Sequence, residues 1–94
     1  MKVTICGSMR HISEMINCYR KLSLEGHLVY LPVFLKRRTN VDKELKTKLQ
    51  QLHFQKIADS DLIFVVNPKG YIGQDTMTEI EFAKKLSKDV IFQE

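Results

Sequence analysis

The segment from Asp61 to Ala83 constrains the fold of this chain more than any other. It begins with the apolar run Leu62 to Val66, which is rich in β-branched residues and has no polar alternation. Such a run is typical of a strand buried on both faces of a parallel sheet. Residues 67 to 73 contain one proline and two glycines, which predict an open loop. A helix is predicted to begin near Asp75 or Thr76, so the segment indicates the strand, loop and helix of an α/β protein.

Apolar patterns elsewhere in the chain predict three further strands and two further helices. The predicted strands are Lys2 to Cys6, Leu28 to Leu31 and Asp89 to Phe92; the predicted helices are Ile12 to Leu24 and Val41 to Ala58, the latter capped by Asn40 and burying Leu45, Leu49 and Leu52. This alternation predicts a three-layer α/β domain, Rossmann-like or flavodoxin-like, with a four-stranded parallel sheet. We expect residues 1 to 94 to form one domain.

The composition and charge of the chain indicate which kinds of binding partner to expect. With 44% hydrophobic and 28% charged residues, the chain has the composition of a globular protein. No apolar run approaches the roughly 20 residues of a membrane span, and the N-terminus lacks a signal-peptide pattern, so we expect a cytoplasmic protein without a membrane partner. The net charge is +4, densest at Lys36-Arg37-Arg38, but no helix carries a sustained basic stripe. This pattern argues against a nucleic-acid partner, and an anionic small ligand is an alternative use of these charges.

The two cysteines, Cys6 and Cys18, have neither CxxC spacing nor histidines at zinc-finger spacing. We therefore expect both to be reduced, with Cys6 in the core of the first strand, and we expect neither a metal nor a cofactor.

Loops that follow parallel strands meet at one edge of the sheet. After the first strand, Gly7-Ser8-Met9-Arg10 offers backbone N–H groups, a hydroxyl and the N-terminus of a helix, which suit a phosphate or carboxylate. Arg10 can add a charged fork. The same residues are equally compatible with an ordinary tight β-α turn.

Glu79 has two interpretations. Thr76-Met77-Thr78-Glu79 matches a capping box, in which Glu79 only satisfies a backbone N–H. Alternatively, Glu79 borders the apolar Phe82 and Ala83 at the edge of a cleft, where a carboxylate can act as nucleophile or base. Asp75, one turn earlier, can cap the helix or join the site.

The three histidines also remain open. His53 is predicted beside Leu49 and Leu52, either facing the cleft or satisfied in packing. His27 follows a predicted helix end, where a solvated cation is favourable. His11 begins a helix beside Arg10 and has no assigned role.

Three segments together resemble the nucleoside 2-deoxyribosyltransferase family, including its 2'-deoxynucleoside 5'-monophosphate N-glycosidase-like members. They are Cys6 to Arg10, His53 to Asn67, and Gly70-Tyr71-Ile72-Gly73 leading to Glu79-Ile80-Glu81-Phe82-Ala83. The resemblance implies retaining glycosyl transfer with Glu79 as nucleophile, acting on a nucleoside or nucleotide. The turn after the first strand is most similar to the phosphate loop of the monophosphate-specific branch.

The residues implied by the resemblance fall into two groups. The catalytic candidates are Glu79, His53 and Asp75; the substrate-binding or phosphate-binding candidates are Gly7, Ser8, Met9, Arg10, Asn67, Gly70, Tyr71 and Gly73. The chain departs from the family at two positions, with Thr4 in place of a tyrosine and His53 in place of an assisting aspartate. A homo-oligomer is expected because so small a domain has little surface to enclose a ligand. A non-catalytic nucleotide-binding or sensing domain on the same fold is the alternative.

Overall fold

The computed structural model describes residues 1–36 and 39–94. Over these residues the chain forms one sheet of four parallel strands: β1 (Lys2–Gly7), β2 (Leu28–Tyr30), β3 (Leu62–Val66) and β4 (Asp89–Phe92). The strand order is β2-β1-β3-β4. The predicted α/β class and the four-stranded parallel sheet are therefore confirmed, with strand ends within one residue of those expected from the apolar runs.

Three α-helices connect the strands over the described residues: α1 (Ile12–Leu24), α2 (Lys43–Asp59) and α3 (Gln74–Lys85). Short 3-10 turns at Met9–His11 and Pro68–Gly70 follow β1 and β3. The predicted start of α2 was wrong, because Asp42 rather than Asn40 caps the helix. The Asp42 side chain accepts a hydrogen bond of 2.8 Å from the backbone N–H of Leu45, which satisfies one of the free donors of the first turn.

The helices cover the sheet as two outer layers. The connection from β1 to β2 runs in one direction across the sheet and the later connections run in the other. Because such crossovers are right-handed, α1 lies on one face and α2 and α3 lie on the other. The core on the α2 and α3 face consists of Cys6, Ile57, Ile63, Val65, Ile80 and Ala83. Ile5 and Met15 anchor the core under α1.

The buried side of α2 differs from the prediction at one position. Leu45 and Leu49 are half-buried and His53 and Ile57 are buried, whereas Leu52 is 46% exposed. The buried residues recur every four positions, which is the spacing of neighbours along one helix face. His53 therefore occupies the inward position that the sequence had suggested for Leu52.

The strand order places a crevice between β1 and β3. Chain connections leave these two neighbouring strands in opposite directions, and in open parallel sheets such a switch point is where ligands bind, beyond the carboxyl ends of the strands. Gly7 at the end of β1 pairs with Val66 at the end of β3. The two loops singled out by the sequence thus leave the sheet side by side.

Among residues 1–36 and 39–94, no helix combines the length and apolar character needed to cross a membrane.

Candidate functional site

A cavity of about 770 Å³ lies beyond the carboxyl ends of the strands on the α2 and α3 side. Its wall includes the turn after β1, the loop after β2, the inner side of α2 and the first turns of α3. This volume is within the range of about 300–1,000 Å³ that small-molecule sites occupy. Of the predicted site residues, the cavity is lined by Gly7, Ser8, Met9, His53, Tyr71, Gly73, Asp75 and Glu79.

Glu79 is positioned by α3 and does not form a capping box. The helix is capped by Gly73 and begins at Gln74, which makes Thr76 its third residue, buried inside the first turn. Glu79 lies one turn further on and its side chain is 13% exposed. Its Oε1 atom is buried and has no hydrogen-bond partner among the described residues. The capping interpretation of Glu79 is therefore wrong, and the carboxylate is held at the cavity wall without a backbone contact to explain it.

His53 projects from α2 toward the same point. Its side chain is 6% exposed, and Nε2 lies 3.3 Å from Oε1 of Glu79. The same Nε2 atom lies 3.5 Å from Sγ of Cys6. Packing of α2 against α3 thus brings an imidazole to the carboxylate, as one of the two interpretations of His53 expected.

Cys6 completes this cluster, and sequence reasoning assigned it only to the core. It is fully buried on β1 and, like Cys18, it is a free thiol. Burial, together with the negative charge of nearby Glu79, raises the pKa of the Cys6 thiol well above its ordinary value. His53 lies 47 residues after Cys6, and Glu79 lies 26 residues after His53. No local sequence motif therefore predicts that the three side chains come together.

The Ser8 side chain helps to close the turn after β1. The Ser8 hydroxyl accepts a 3.3 Å hydrogen bond from the backbone N–H of Arg10, and the Ser8 carbonyl accepts one of 2.9 Å from that of His11. The hydroxyl hydrogen of Ser8 is left to donate to a ligand. Gly7, Ser8 and Met9 border the cavity, so this part of the predicted phosphate turn is placed where a ligand would need it.

Arg10 makes a different contact from the one expected. Its guanidinium lies over the ring of Tyr71, 4.3 Å from the ring centroid, in a cation–π arrangement. The ring of His11 packs edge-on against the same tyrosine at 5.9 Å. Tyr71 therefore joins the turn after β1 to the loop after β3. Arg10 takes part in this contact and does not line the cavity.

Gly7 is required by close approach at the end of β1. A Cβ atom at this position would lie 3.0 Å from Sδ of the buried Met15 and 3.1 Å from the carbonyl oxygen of Val66. We expect Gly7→Ala to lower the free energy of unfolding by about 1–3 kcal/mol, because the added methyl overpacks a closed site. Denaturant unfolding of both proteins measures the difference.

Gly73→Ala is the matched control for that substitution. A Cβ at Gly73 would meet only the Tyr71 ring at 3.6 Å or more, an ordinary contact, and we expect a change below about 1 kcal/mol. Equal losses for the two variants would contradict the close approach at Gly7.

Besides Arg10, two other predicted binding residues lie outside the cavity lining. Asn67 is buried, and its side-chain amide bonds the backbone of Glu94, donating to the carbonyl at 3.1 Å and accepting from the N–H at 2.9 Å. Gly70 adopts a left-handed backbone with φ of +78° in the turn beside it. The structure thus gives Asn67 and Gly70 roles in shaping the loop after β3.

The remaining polar candidates lie around the rim. Asp75 is exposed in the first turn of α3, where it borders the cavity but does not cap the helix. Lys36 and Lys46 border the cavity from the opposite side. Arg37 and Arg38, the rest of the basic cluster, lie outside the described residues.

The other departures from sequence expectation are structural. Thr4 is fully buried and its hydroxyl bonds that of Ser60 at 2.6 Å, so this position contributes to the core rather than to the cavity. His27 is half-buried, with Nδ1 3.3 Å from the amino group of Met1, rather than a free cation at a helix end.

No family model matches this chain, and no curated protein matches it.

Proposed function

We propose that this protein cleaves or transfers the base–sugar bond of a deoxynucleoside or deoxynucleotide, with Glu79 as the nucleophile. The observation that carries the proposal is the Glu79 carboxylate itself. It lies at the wall of a cavity at the strand ends, largely shielded from water, with one oxygen unpaired among the described residues. A carboxylate in such a setting is available for covalent catalysis. The resemblance of the surrounding segments to nucleoside 2-deoxyribosyltransferases gives the reaction class.

In the first step, an oxygen of Glu79 forms a bond to the anomeric carbon as the bond from that carbon to the base nitrogen breaks. The electron pair of the broken bond leaves with the base, which takes up a proton. In the second step, water or another base attacks the same carbon and the Glu79 carboxylate leaves. Water loses a proton in this step and yields the free sugar, whereas another base yields a new nucleoside.

Asp75 supplies a second carboxyl group for the proton transfers. It precedes Glu79 by four residues, which places the two side chains on one helix face with Cβ atoms about 5–6 Å apart. In the two-step reaction of retaining glycosidases a second carboxyl group serves as acid and then as base, which is the role proposed for Asp75. Both residues border the cavity.

His53 acts on Glu79 rather than on the leaving base. Its Nε2 atom is 3.3 Å from Oε1, close enough to fix the direction of the carboxylate. The position that the resemblance assigns to an assisting aspartate is thus used here to orient the nucleophile.

The cationic and turn groups favour a phosphorylated substrate. Ser8 offers a hydroxyl and Gly7 its backbone on one side of the cavity, and Lys36 and Lys46 border it on another. A nucleoside 5'-monophosphate carries the negative charge that these groups attract, which a nucleoside lacks.

Base release from unlabelled substrates tests the proposal. The protein is incubated with each deoxynucleoside 5'-monophosphate and each deoxynucleoside, with and without a second free base, and products are separated by chromatography. We expect free base or exchanged nucleoside, at a higher rate from monophosphates. A ligand-dependent rise in melting temperature without any product would instead support the nucleotide-binding alternative and overturn the catalytic proposal.

A further inference from the structure

Three side chains with different metal-ligating atoms converge at the floor of the cavity. Nε2 of His53 lies 3.5 Å from Sγ of Cys6 and 3.3 Å from Oε1 of Glu79, and all three atoms lie within 4.8 Å of one another. The spacing of these residues along the chain predicts no metal site, because only the packing of β1, α2 and α3 brings them together.

Two of the three ligand-atom separations match those around a tetrahedral zinc ion. Zinc binds thiolate sulfur at about 2.3 Å and imidazole nitrogen or carboxylate oxygen at about 2.0–2.2 Å, so a tetrahedral angle separates sulfur from nitrogen by about 3.6 Å and nitrogen from oxygen by about 3.3 Å. The observed separations of 3.5 and 3.3 Å are close to these values. The third pair, the Cys6 sulfur and the Glu79 carboxylate, lies within 4.8 Å, and rotation of the Glu79 side chain is enough to bring it to the roughly 3.6 Å that one tetrahedral ion requires.

The hydrogen bonds within the cluster leave one carboxylate oxygen without a partner. Nε2 of His53 carries at most one hydrogen, and the thiol of Cys6 can donate one more. The Glu79 Oε1 atom is buried and has no hydrogen-bond partner in the described part of the chain, although the 94% buried imidazole faces it. A buried carboxylate oxygen without a partner is unfavourable, and a cation between the three side chains would pair it.

We infer that Cys6, His53 and Glu79 form a zinc-binding site whose fourth position opens to the cavity. A thiolate, an imidazole and a carboxylate together favour zinc over magnesium or calcium, which prefer oxygen ligands alone. Binding releases the thiol proton of Cys6 to solvent as the metal–sulfur bond forms. His53 and Glu79 line the cavity, so water or a ligand can take the remaining position.

Zinc in this site competes with the chemistry proposed for Glu79. A carboxylate oxygen bound to the metal is not free to attack an anomeric carbon, so the metal-bound form is a resting state for glycosyl transfer. The metal site is inferred from the three ligand atoms and holds whether or not the protein cleaves nucleotides.

Cobalt titration of the metal-free protein tests this inference directly. We expect one equivalent of Co²⁺ to produce the intense visible absorption of tetrahedral cobalt together with a thiolate-to-cobalt charge-transfer band, and Zn²⁺ to displace it. Cys6→Ala should abolish the charge-transfer band and weaken binding by at least about a hundredfold, since loss of outer contacts alone costs 10–100-fold. His53→Gln should weaken binding similarly. Circular dichroism and a thermal melt establish that each variant is folded.

Two control variants remove a thiol and an imidazole that lie outside the proposed site. Cys18→Ala removes the second thiol, and His27→Gln removes the imidazole that lies 3.3 Å from the amino group of Met1. Both should bind cobalt as the unaltered protein does. Weak octahedral spectra, a folded Cys6→Ala or His53→Gln protein that binds normally, or loss of binding in either control would overturn the inference. Because the readout is a spectrum, failure of base release leaves this result unaffected, and the reverse also holds.

Discussion

Glu79→Gln is expected to lower the rate of base release by about a thousandfold or more, the scale of loss seen when a covalent nucleophile is removed. Glutamine has the shape of glutamate but no anionic oxygen to form the glycosyl–enzyme bond. The rate is measured as free base formed from a saturating deoxynucleoside 5'-monophosphate. Residual release within tenfold of the unaltered protein would exclude Glu79 as the nucleophile.

Glu81→Gln provides the matched control for this substitution. Glu81 is an exposed carboxylate on the same helix, two residues further on, and it does not border the cavity. We expect its replacement to leave the rate of base release unchanged within about twofold, because exposed charges distant from the site contribute little. A comparable loss in both variants would point to a general effect of helix charge rather than to nucleophilic attack.

The melting temperature of Glu79→Gln separates catalysis from stability. A lost helix cap would cost about 0.5–2 kcal/mol. Glu79 makes no capping contact, and its buried oxygen lacks a hydrogen-bond partner within residues 1–36 and 39–94, so we expect the melting temperature to stay constant or rise. Loss of activity with undiminished stability is the signature of a functional residue in a strained polar environment.

Ile63→Ala is expected to give the largest loss of stability, about 2–5 kcal/mol. Ile63 is fully buried at the centre of the core between the sheet and the helices α2 and α3. The loss combines the transfer of buried methyl groups with the cavity that rigid neighbours cannot fill. Since a domain of this kind has a total stability of only about 5–15 kcal/mol, urea unfolding should show a much lower midpoint.

Ile91→Ala is the control for the core assignment. Ile91 lies on the adjacent strand β4 with the same side chain, but it is 45% exposed. We expect its replacement to cost less than about 1.5 kcal/mol, because half of its surface already faces water. The slopes of the two unfolding curves should agree. If Ile91→Ala lowered the stability as much as Ile63→Ala does, the assignment of Ile63 to the core and of Ile91 to the surface would be contradicted.

Most helices and strands of the fold could be predicted from the sequence, because each has a local pattern of apolar residues. The run Leu62 to Val66 has no polar residue and is typical of a buried strand, and the structure confirms it as β3. Helix starts were less accurate because several polar residues compete to cap them. Asp42 lies two residues after Asn40 and reaches a free N–H of the first turn, and Gly73 begins α3 without any side-chain cap.

The sequence could predict only those parts of the candidate site that lie in the loops at the carboxyl ends of the strands. Gly7 and Ser8 meet the loop after β3 because parallel neighbours deliver their loops to one edge. The contact of Cys6 with His53 could not be foreseen, since it depends on which face of β1 the cysteine occupies and how α2 packs across it. The pairing of Asn67 with Glu94 is equally invisible in a linear sequence. Self-association and a cytoplasmic location stay predictions.

The contact between Arg10 and Tyr71 connects two segments that are far apart in the chain. Altering the aromatic ring removes a support from the opposite segment, which contains the residues around Ser8. A substitution at Tyr71, which borders the cavity, will therefore also remove the contact that holds Arg10 against the loop after β3.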